Sequence, residues 1–311
     1  MTVDILPWHQ AHWQRLNDQI EKASLPHALL IAGPPMSGKQ GIARALVERL
    51  LCQGKDAPCG ECHQCQLVSA GTHPDLLHVT LEDSKQILIN QIRGLIDWAS
   101  QTSQQGGYKV CLIDPADRLN IQSANALLKC LEEPPAGTCI LLITDQPKRL
   151  LPTIRSRCHL VNCRLPESEE ALAWLQERNE SGIDTALLLE IAGGLPLKAV
   201  ASVTDGYLAL RKKLADLLTG VTMGSESPIQ FAAGVAGEDP TEVLDILYQL
   251  IADTIGITLC GEVVIRNSDL KIKLDEFASA VKVERRFELL DRIAHAKGLL
   301  GSTSNANPQM L

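Results

Sequence analysis

Four cysteines near position 60 form the densest group of potential metal ligands in the chain. Cys52, Cys59, Cys62 and Cys65 follow the spacing C-x6-C-x2-C-x2-C. Thiolates this close in sequence suit one tetrahedral Zn²⁺, and four cysteine ligands leave no open position for catalysis. The spacing therefore predicts a structural zinc site, with His63 as a bystander. Reactive or incidental thiols and a redox C-x-x-C pair are the alternatives.

A glycine-rich loop at 33–40 reads GPPMSGKQ and fits the pattern G-x-x-x-x-G-K through Gly33, Gly38 and Lys39. The loop follows an apolar run and opens a helical pattern, which is the context that a phosphate-binding loop requires. Glycines let backbone N–H groups approach a phosphate, and the lysine supplies positive charge. The next position should be Ser or Thr to bind Mg²⁺ but is Gln40. Two interpretations stay open: a degenerate nucleotide site, and a glycine turn that binds nothing.

A carboxylate expected to coordinate Mg²⁺ in such a site follows a second apolar run. Asp114 ends the segment KVCLID, and the next residue is Pro115. Hydrolysis needs a group at that next position that orients and activates water, and proline has none. Together with Gln40, this predicts that the chain alone does not hydrolyse ATP and makes ATP binding doubtful.

Apolar runs that alternate with helical patterns predict the elements that position these residues. Five strands are expected, at 27–33, 75–79, 109–114, 139–144 and 159–164. The intervening helices are expected at 37–51, 89–99 and 120–131. Nearly continuous apolar strands between helices predict a parallel sheet covered on both faces. Residues 166–205 suit a small helical lid, and 206–311 read as helical, so the fold class is α/β followed by all-α.

Length and composition narrow the function classes further. The 311 residues suggest two domains or three small ones, and 45% hydrophobic content allows a buried core. A net charge of −8 disfavours a protein whose whole surface is basic and binds nucleic acid. A content of 3% aromatic residues disfavours a surface that stacks on bases. No stretch comes near the ~18 apolar residues of a membrane helix, and the N-terminus lacks a signal-peptide core. The chain is therefore not expected to be a membrane protein or a secreted protein.

Five further segments occur in an order that is specific to one family: HALLIAGPPMSGK, GTHPDL, QIRGLIDWASQTSQQGGYKVCLID, SANALLKCLEEPP and TIRSRC. With the cysteine insertion, the chain resembles the delta-prime subunits of the bacterial DNA polymerase III clamp loader over roughly residues 8–200. The resemblance implies an AAA+ (P-loop NTPase-like) domain at 1–165 with the cysteine insertion at 52–65. It also implies a lid at 166–205 and a helical collar at 206–311. Such chains are expected to run past Leu311. Asn307-Pro308, a pair that commonly starts a helix, lies just before this residue.

The resemblance also implies a function and roles for single residues. Gamma/tau and delta subunits would be the neighbours in a cytoplasmic, nucleoid- and replisome-associated bacterial complex that loads a sliding clamp onto primed DNA. Arg157 would be an arginine finger that acts in trans on a neighbour's ATP, with Arg155 in support. Thr144 would stand where ATPase relatives sense the γ-phosphate, and Pro196 replaces a sensor arginine. The alternatives are an active AAA+ ATPase subunit and a zinc-dependent DNA-binding module, although Lys55 is the only basic residue within 50–65.

Overall fold

The structure, a computed structural model, describes residues 5–82, 84–204, 206–260 and 265–301. The chain forms two compact units, which meet in sequence between Glu167 and Ser168. The limits predicted for the lid and the collar stay predictions. The helix-start signal at Asn307-Pro308 lies outside the described residues.

A parallel five-stranded sheet in the order β2-β3-β4-β1-β5 forms the centre of the first unit. Its strands are β1 (Ala28–Ala32), β2 (Leu76–Val79), β3 (Lys109–Ile113), β4 (Thr138–Thr144) and β5 (His159–Asn162). The helices are α1 (Gln10–Glu21), α2 (Lys39–Leu51), α3 (His63–Ser69), α4 (Ile89–Ser100), α5 (Ile121–Glu132) and α6 (Pro152–Arg155). The α/β class with a parallel sheet is confirmed.

Alternate residues of the buried strands face two separate cores, one on each side of the sheet. Leu30 packs with residues of α4 and α5, such as Ile92 and Leu127. Its neighbour Leu29 packs with residues of α2, such as Leu46, on the opposite face. Since both faces are covered by helices, the central strands are nearly continuously apolar, as the sequence predicted.

Helix α5, Ile121–Glu132, begins and ends within one residue of the predicted 120–131. Asn120 caps its start, because the Oδ1 atom accepts a hydrogen bond from the backbone N–H of Ser123 at 2.8 Å. Pro134 and Pro135 follow soon after its end, and a proline cannot continue a helix. Glu132 is therefore the last residue of a helix whose buried face, including Leu131, is fixed in the core.

Helices alone make up the regular structure of the described residues of the second unit. They are α7 (Ser168–Gln176), α8 (Thr185–Ile191), α9 (Pro196–Thr204), α10 (Tyr207–Thr222), α11 (Pro228–Val235), α12 (Pro240–Cys260), α13 (Lys271–Ala280) and α14 (Val283–Gly301). Their core includes Leu214, Ile246, Leu250 and Leu274. This all-helical second part agrees with the predicted fold class.

The expectation that no segment would approach a membrane span was wrong for α12. The helix has 21 residues, and an 18-residue segment within it has a mean hydropathy of 1.6, so α12 is long and apolar enough to cross a membrane. In the fold, 44% of this segment is buried, and Ile246 and Leu250 belong to the core of the second unit. The helix is apolar because it packs against α10, α13 and α14. Its composition therefore reflects a central position among helices.

Candidate functional site

The glycine-rich loop joins the end of β1 to the start of α2 at the carboxyl edge of the sheet. Gly38 caps α2 with a φ of 88°, a left-handed conformation that glycine adopts without strain. A Cβ atom on Gly33 would lie 2.3 Å from the carbonyl oxygen of Cys163. Both positions therefore need glycine for the fold itself, whether or not a phosphate enters the loop.

Lys39, the lysine of the loop motif, already has partners within its own chain. Its Nζ forms an ion pair with the carboxylate of Asp145 and donates to the carbonyl oxygen of Pro34 at 3.2 Å. The side chain of Lys39 is 1% exposed, whereas that of Asp145 is 40% exposed. Asp145 directly follows β4, and parallel pairing of β4 with β1 brings it to the loop. The charge that a phosphate would meet is thus balanced by this carboxylate.

Two aromatic side chains from the N-terminal segment hold the loop through a single carbonyl. The Nε1–H of Trp8 donates to the backbone oxygen of Ser37 at 3.1 Å, and Nε2 of His9 lies 2.7 Å from the same oxygen. Both rings are buried. Burial lowers the pKa of His9, although its hydrogen bond to Ser37 opposes the shift. Nothing in the local sequence links positions 8 and 9 to this loop.

Asp114 and Thr144 reach the same edge because β3 and β4 are neighbours in the sheet. Asp114 is partly buried, and this burial raises the pKa of its carboxyl group. Thr144 is fully buried, and its hydroxyl donates to Oδ1 of Asp117 at 2.7 Å. The same hydroxyl accepts the backbone N–H of Gln146 at 3.0 Å. Both hydrogen-bonding functions of the Thr144 hydroxyl are thus used within the chain.

The carboxyl edge therefore gathers the five residues that the sequence predicted for a degenerate nucleotide site: Gly33, Gly38, Lys39, Asp114 and Thr144. A phosphate that approached Lys39 would have to displace the carboxylate of Asp145. Gln40 is exposed, and Pro115 offers no acid group. Asp117 and Asp145 complete this edge. Asp145 directly follows β4, and this position was the signal that could have revealed it, whereas Asp117 lies four residues after the end of β3.

Arg157 lies at the opposite edge of the sheet. It comes two residues before His159, the first residue of β5, and parallel strands all begin at the amino edge. Since β1 has five residues, the two edges are about 16 Å apart at ~3.3 Å per residue. Nη2 of Arg157 lies 2.5 Å from Oε1 of Glu132, and Nη1 donates to the carbonyl oxygen of Thr153 at 2.9 Å. The side chain of Arg157 remains 35% exposed.

Arg155, the neighbouring candidate, has a different environment. It is exposed, and it forms no ion pair with any residue in the described ranges. Between the two arginines, α6 is fixed to the core by Ile154, which is fully buried beside Leu150. The structure therefore distinguishes a tethered guanidinium at 157 from an untethered one at 155.

The four cysteines meet where α2 and α3 face each other across the loop between them. The Sγ atoms of Cys52 and Cys59 are 3.5 Å apart, and the pairs Cys52–Cys62 and Cys59–Cys65 are each 3.9 Å apart. All four sulfurs lie within 4.8 Å of one another, and His63 is not among the ligand atoms. Four thiolates ~2.3 Å from a tetrahedral zinc would be about 3.8 Å apart. This cluster could hold such a metal ion.

Backbone N–H groups around the cluster donate to its sulfurs, although burial raises the pKa of the Cys65 thiol to about 12. N–H groups of Gly54 and Cys59 lie 3.3 and 3.4 Å from Sγ of Cys52, and the N–H of Cys65 lies 3.5 Å from Sγ of Cys62. Burial opposes ionisation of Cys62, but backbone and thiol hydrogen bonds outweigh it and lower its pKa to about 6. A Cβ on Gly54 would lie 2.7 Å from Sγ of Cys59. The donor set and its packing thus fit a cation bound by four sulfurs.

Hydrogen bonds attach this cluster to the body of the first unit. Nε2 of Gln53 donates to the backbone oxygen of Gln105 at 2.9 Å. Nε2 of Gln64 donates to the side-chain Oε1 of the same Gln105, also at 2.9 Å. Gln105 in turn donates its backbone N–H to the buried Asp75 at 2.8 Å. The cysteine cluster is therefore joined to the loop that precedes β3.

Comparison with known proteins decides the family. A model of the family described as "DNA polymerase III, delta subunit" matches residues 8–167, and one for "DNA polymerase III, delta subunit, C terminal" matches 205–311. A DNA polymerase III subunit delta' from Pseudomonas aeruginosa is 41% identical over 261 residues, covering 82% of this chain and 77% of the relative. The chain belongs to the delta-prime family of DNA polymerase III subunits. The resemblance seen in its motifs is confirmed.

Other relatives extend the match over nearly the whole length. The delta-prime subunit of Escherichia coli is 31% identical over 309 residues and covers 98% of this chain and 92% of its own. A DNA polymerase III gamma subunit-related protein from Thermotoga maritima shares the fold, with a TM-score of 0.52 and 21% identity, over 92% of this chain and 98% of that one. This delta-prime family member thus shares its fold with a gamma subunit-related protein.

Proposed function

We propose that this delta-prime family chain is a non-hydrolysing subunit of the clamp loader that supplies Arg157 to the ATP site of a neighbouring gamma/tau subunit. In this role it helps to load the sliding clamp onto primed DNA during replication. Its neighbours are gamma/tau and delta, and it works in the cytoplasm with the replisome on the nucleoid. The chain acts on the clamp and the DNA as part of the assembled complex.

The placement of Arg157 carries the proposal. The guanidinium lies at the amino edge of the sheet, whereas the chain's own glycine-rich loop lies at the carboxyl edge. It therefore cannot serve that loop, and its 35% exposed side chain is open to another subunit. A planar, permanently charged guanidinium stabilises the charge that develops on a phosphate during transfer.

The state of the glycine-rich loop supports the absence of hydrolysis. Lys39 is paired with Asp145, and the Thr144 hydroxyl donates to Asp117. Gln40 replaces the hydroxyl that would bind Mg²⁺, and Pro115 replaces the group that would orient water. Pro196 adds a third missing group. These departures favour a subunit that completes a neighbour's site over an independent ATPase.

The cysteine cluster is proposed to bind one structural Zn²⁺ through Cys52, Cys59, Cys62 and Cys65. Its sulfur spacing and its N–H donors support this assignment. When bound, the ion would fix the loop between α2 and α3, and four sulfur ligands leave no position for a substrate.

Reconstitution tests the proposal. The chain is mixed with gamma/tau and delta subunits, and ATP turnover is measured with the sliding clamp and primed DNA present. Arg157→Ala should co-purify with its partners yet lower turnover and slow clamp loading, whereas Arg155→Ala should act much less. The isolated chain should release no phosphate from ATP. Equal loading rates for Arg157→Ala and the parent would refute the role.

A further inference from the structure

The contact between Arg157 and Glu132 joins two exposed side chains from separate elements at the amino edge of the sheet. Glu132 ends α5, and Arg157 follows α6. Their shortest distance is 2.5 Å, yet the two side chains are 35% and 49% exposed. Ion pairs this open to water contribute little to folding stability. Stability therefore does not explain why the carboxylate holds this arginine.

We propose that Glu132 is a positioning residue, which orients the guanidinium of Arg157 for the phosphate of the neighbouring subunit. The inference rests on the proposed function of Arg157 and adds the group that prepares it. The carboxylate of Glu132 forms an ion pair with Nη2 of the guanidinium, and the carbonyl of Thr153 accepts a hydrogen bond from Nη1.

The donor count of the guanidinium allows this arrangement. An arginine has five N–H donors in a rigid plane, and the hydrogen bond from Nη1 to the carbonyl of Thr153 uses one of them. The remaining donors, including Nε–H, stay available for a phosphate oxygen. With the ion pair to Glu132 on Nη2 and the hydrogen bond to Thr153 on Nη1 in place, the guanidinium is oriented before the neighbour arrives, and less side-chain freedom is lost on contact.

The supports of Glu132 and Arg157 are themselves rigid. Leu127 and Leu131 of α5 are buried in the same core as Ile154, which lies between Thr153 and Arg155. The carboxylate and the carbonyl therefore sit on elements that share one packed core. An orienting pair built on such elements holds its geometry better than one on loops.

Variants of Glu132 test the inference in the reconstituted complex. The partner ATPase subunits carry alanine in place of their own finger arginines, so that the remaining turnover depends on Arg157. Glu132→Ala should lower the maximal turnover by about fivefold with little change in KM for ATP, because one exposed ion pair biases orientation by about that factor. Glu132→Gln removes the charge but keeps an oxygen beside Nη2, and its turnover should lie between those of Glu132→Ala and the parent.

Two controls separate positioning from folding and from the finger role itself. Glu133→Gln changes the adjacent exposed carboxylate, which forms no ion pair within the described ranges, and should leave turnover unchanged. In an Arg157→Ala background, Glu132→Ala should have no further effect. All variants should co-purify and melt within about 2 °C of the parent, because the pair is exposed.

Several outcomes would overturn the inference. Turnover of Glu132→Ala within twofold of the parent, a rise in turnover, or Glu132→Gln no better than Glu132→Ala would each contradict positioning. A loss that persists in the Arg157→Ala background would also contradict it. If Arg157→Ala alone left turnover unchanged, the proposed finger role would fail, and this result is distinct from a failure at Glu132.

Discussion

Removal of Asp145 exposes the energetic role of the Lys39 ion pair. In Asp145→Ala, the ammonium of Lys39 loses its ion-pair partner, in a site where its side chain is 1% exposed. Among the described residues it keeps the hydrogen bond to the carbonyl of Pro34 and the weaker electrostatic interaction with Asp114. Loss of one partner from a buried ion pair costs about 3–5 kcal/mol. Since Asp145 is itself 40% exposed, the lower end, about 3 kcal/mol, applies.

This cost converts into a measurable shift in melting temperature. For a unit of this size, 1 kcal/mol lowers the midpoint by about 2–4 °C, so Asp145→Ala should melt about 6–12 °C below the parent. Scanning calorimetry of the whole chain measures the shift. Lys39→Met combined with Asp145→Ala removes both charges and should recover most of it, because no unpaired ammonium remains.

Two outcomes, one of them in the double variant, would contradict this role of the ion pair. If Asp145→Ala melts within about 2 °C of the parent, the ion pair does not stabilise the loop. If the double variant is as unstable as Asp145→Ala, the loss has another origin than the uncompensated ammonium. In either case, the claim that Lys39 serves the fold in place of a phosphate would be wrong.

Further predictions concern the metal, the nucleotide and the loop. Cys62→Ser should lower zinc content, measured by elemental analysis, from about one ion per chain to well below half, because a three-thiolate site binds far more weakly. The matched control Cys260→Ser, at an exposed cysteine outside the cluster, should keep its zinc; equal loss in both would contradict the site. About 5 mM Mg-ATP should raise the melting temperature of the chain by less than about 2 °C, and a larger rise would indicate tight binding to the native state. Gly33→Ala should melt several degrees lower, because its Cβ would lie 2.3 Å from the oxygen of Cys163, and an unchanged midpoint would show that the loop adapts.

Periodicity predicts the sheet well because its central strands, β1, β3 and β4, are buried on both faces. Residues such as Leu29 and Leu30 face different cores, so the strand reads as a continuous apolar run. The same criterion was less reliable for α12, where burial among helices produces the composition of a membrane span. Composition alone cannot distinguish lipid from protein as the surrounding medium.

Motif spacing located the candidate sites but not the contacts that decide their chemistry. The glycine-rich loop was predictable from seven consecutive positions, whereas its ion pair joins Lys39 to Asp145, far along the chain. The hydrogen bond from Trp8 to Ser37 likewise depends on how the N-terminal segment packs against the glycine-rich loop. Such contacts follow from tertiary packing, and no local pattern encodes them.

The cysteine cluster lies at the other extreme. Its ligands come from fourteen consecutive positions, and the first turn of α3 places Cys62 and Cys65 side by side. A site built by short-range geometry is visible in the spacing itself. Its attachment through Gln105 to Asp75 is long-range and was not predictable.

The central claim is that this chain completes a neighbour's ATP site through Arg157. The most direct test measures ATP turnover in a reconstituted complex whose ATPase subunits lack their own finger arginines, with clamp and primed DNA present. Arginine fingers accelerate turnover by a factor of ~10³–10⁵, so Arg157→Ala should reduce the remaining turnover to background. Arg155→Ala should keep most of it. Turnover of Arg157→Ala above half that of the parent, in a complex that assembles normally, would contradict the claim.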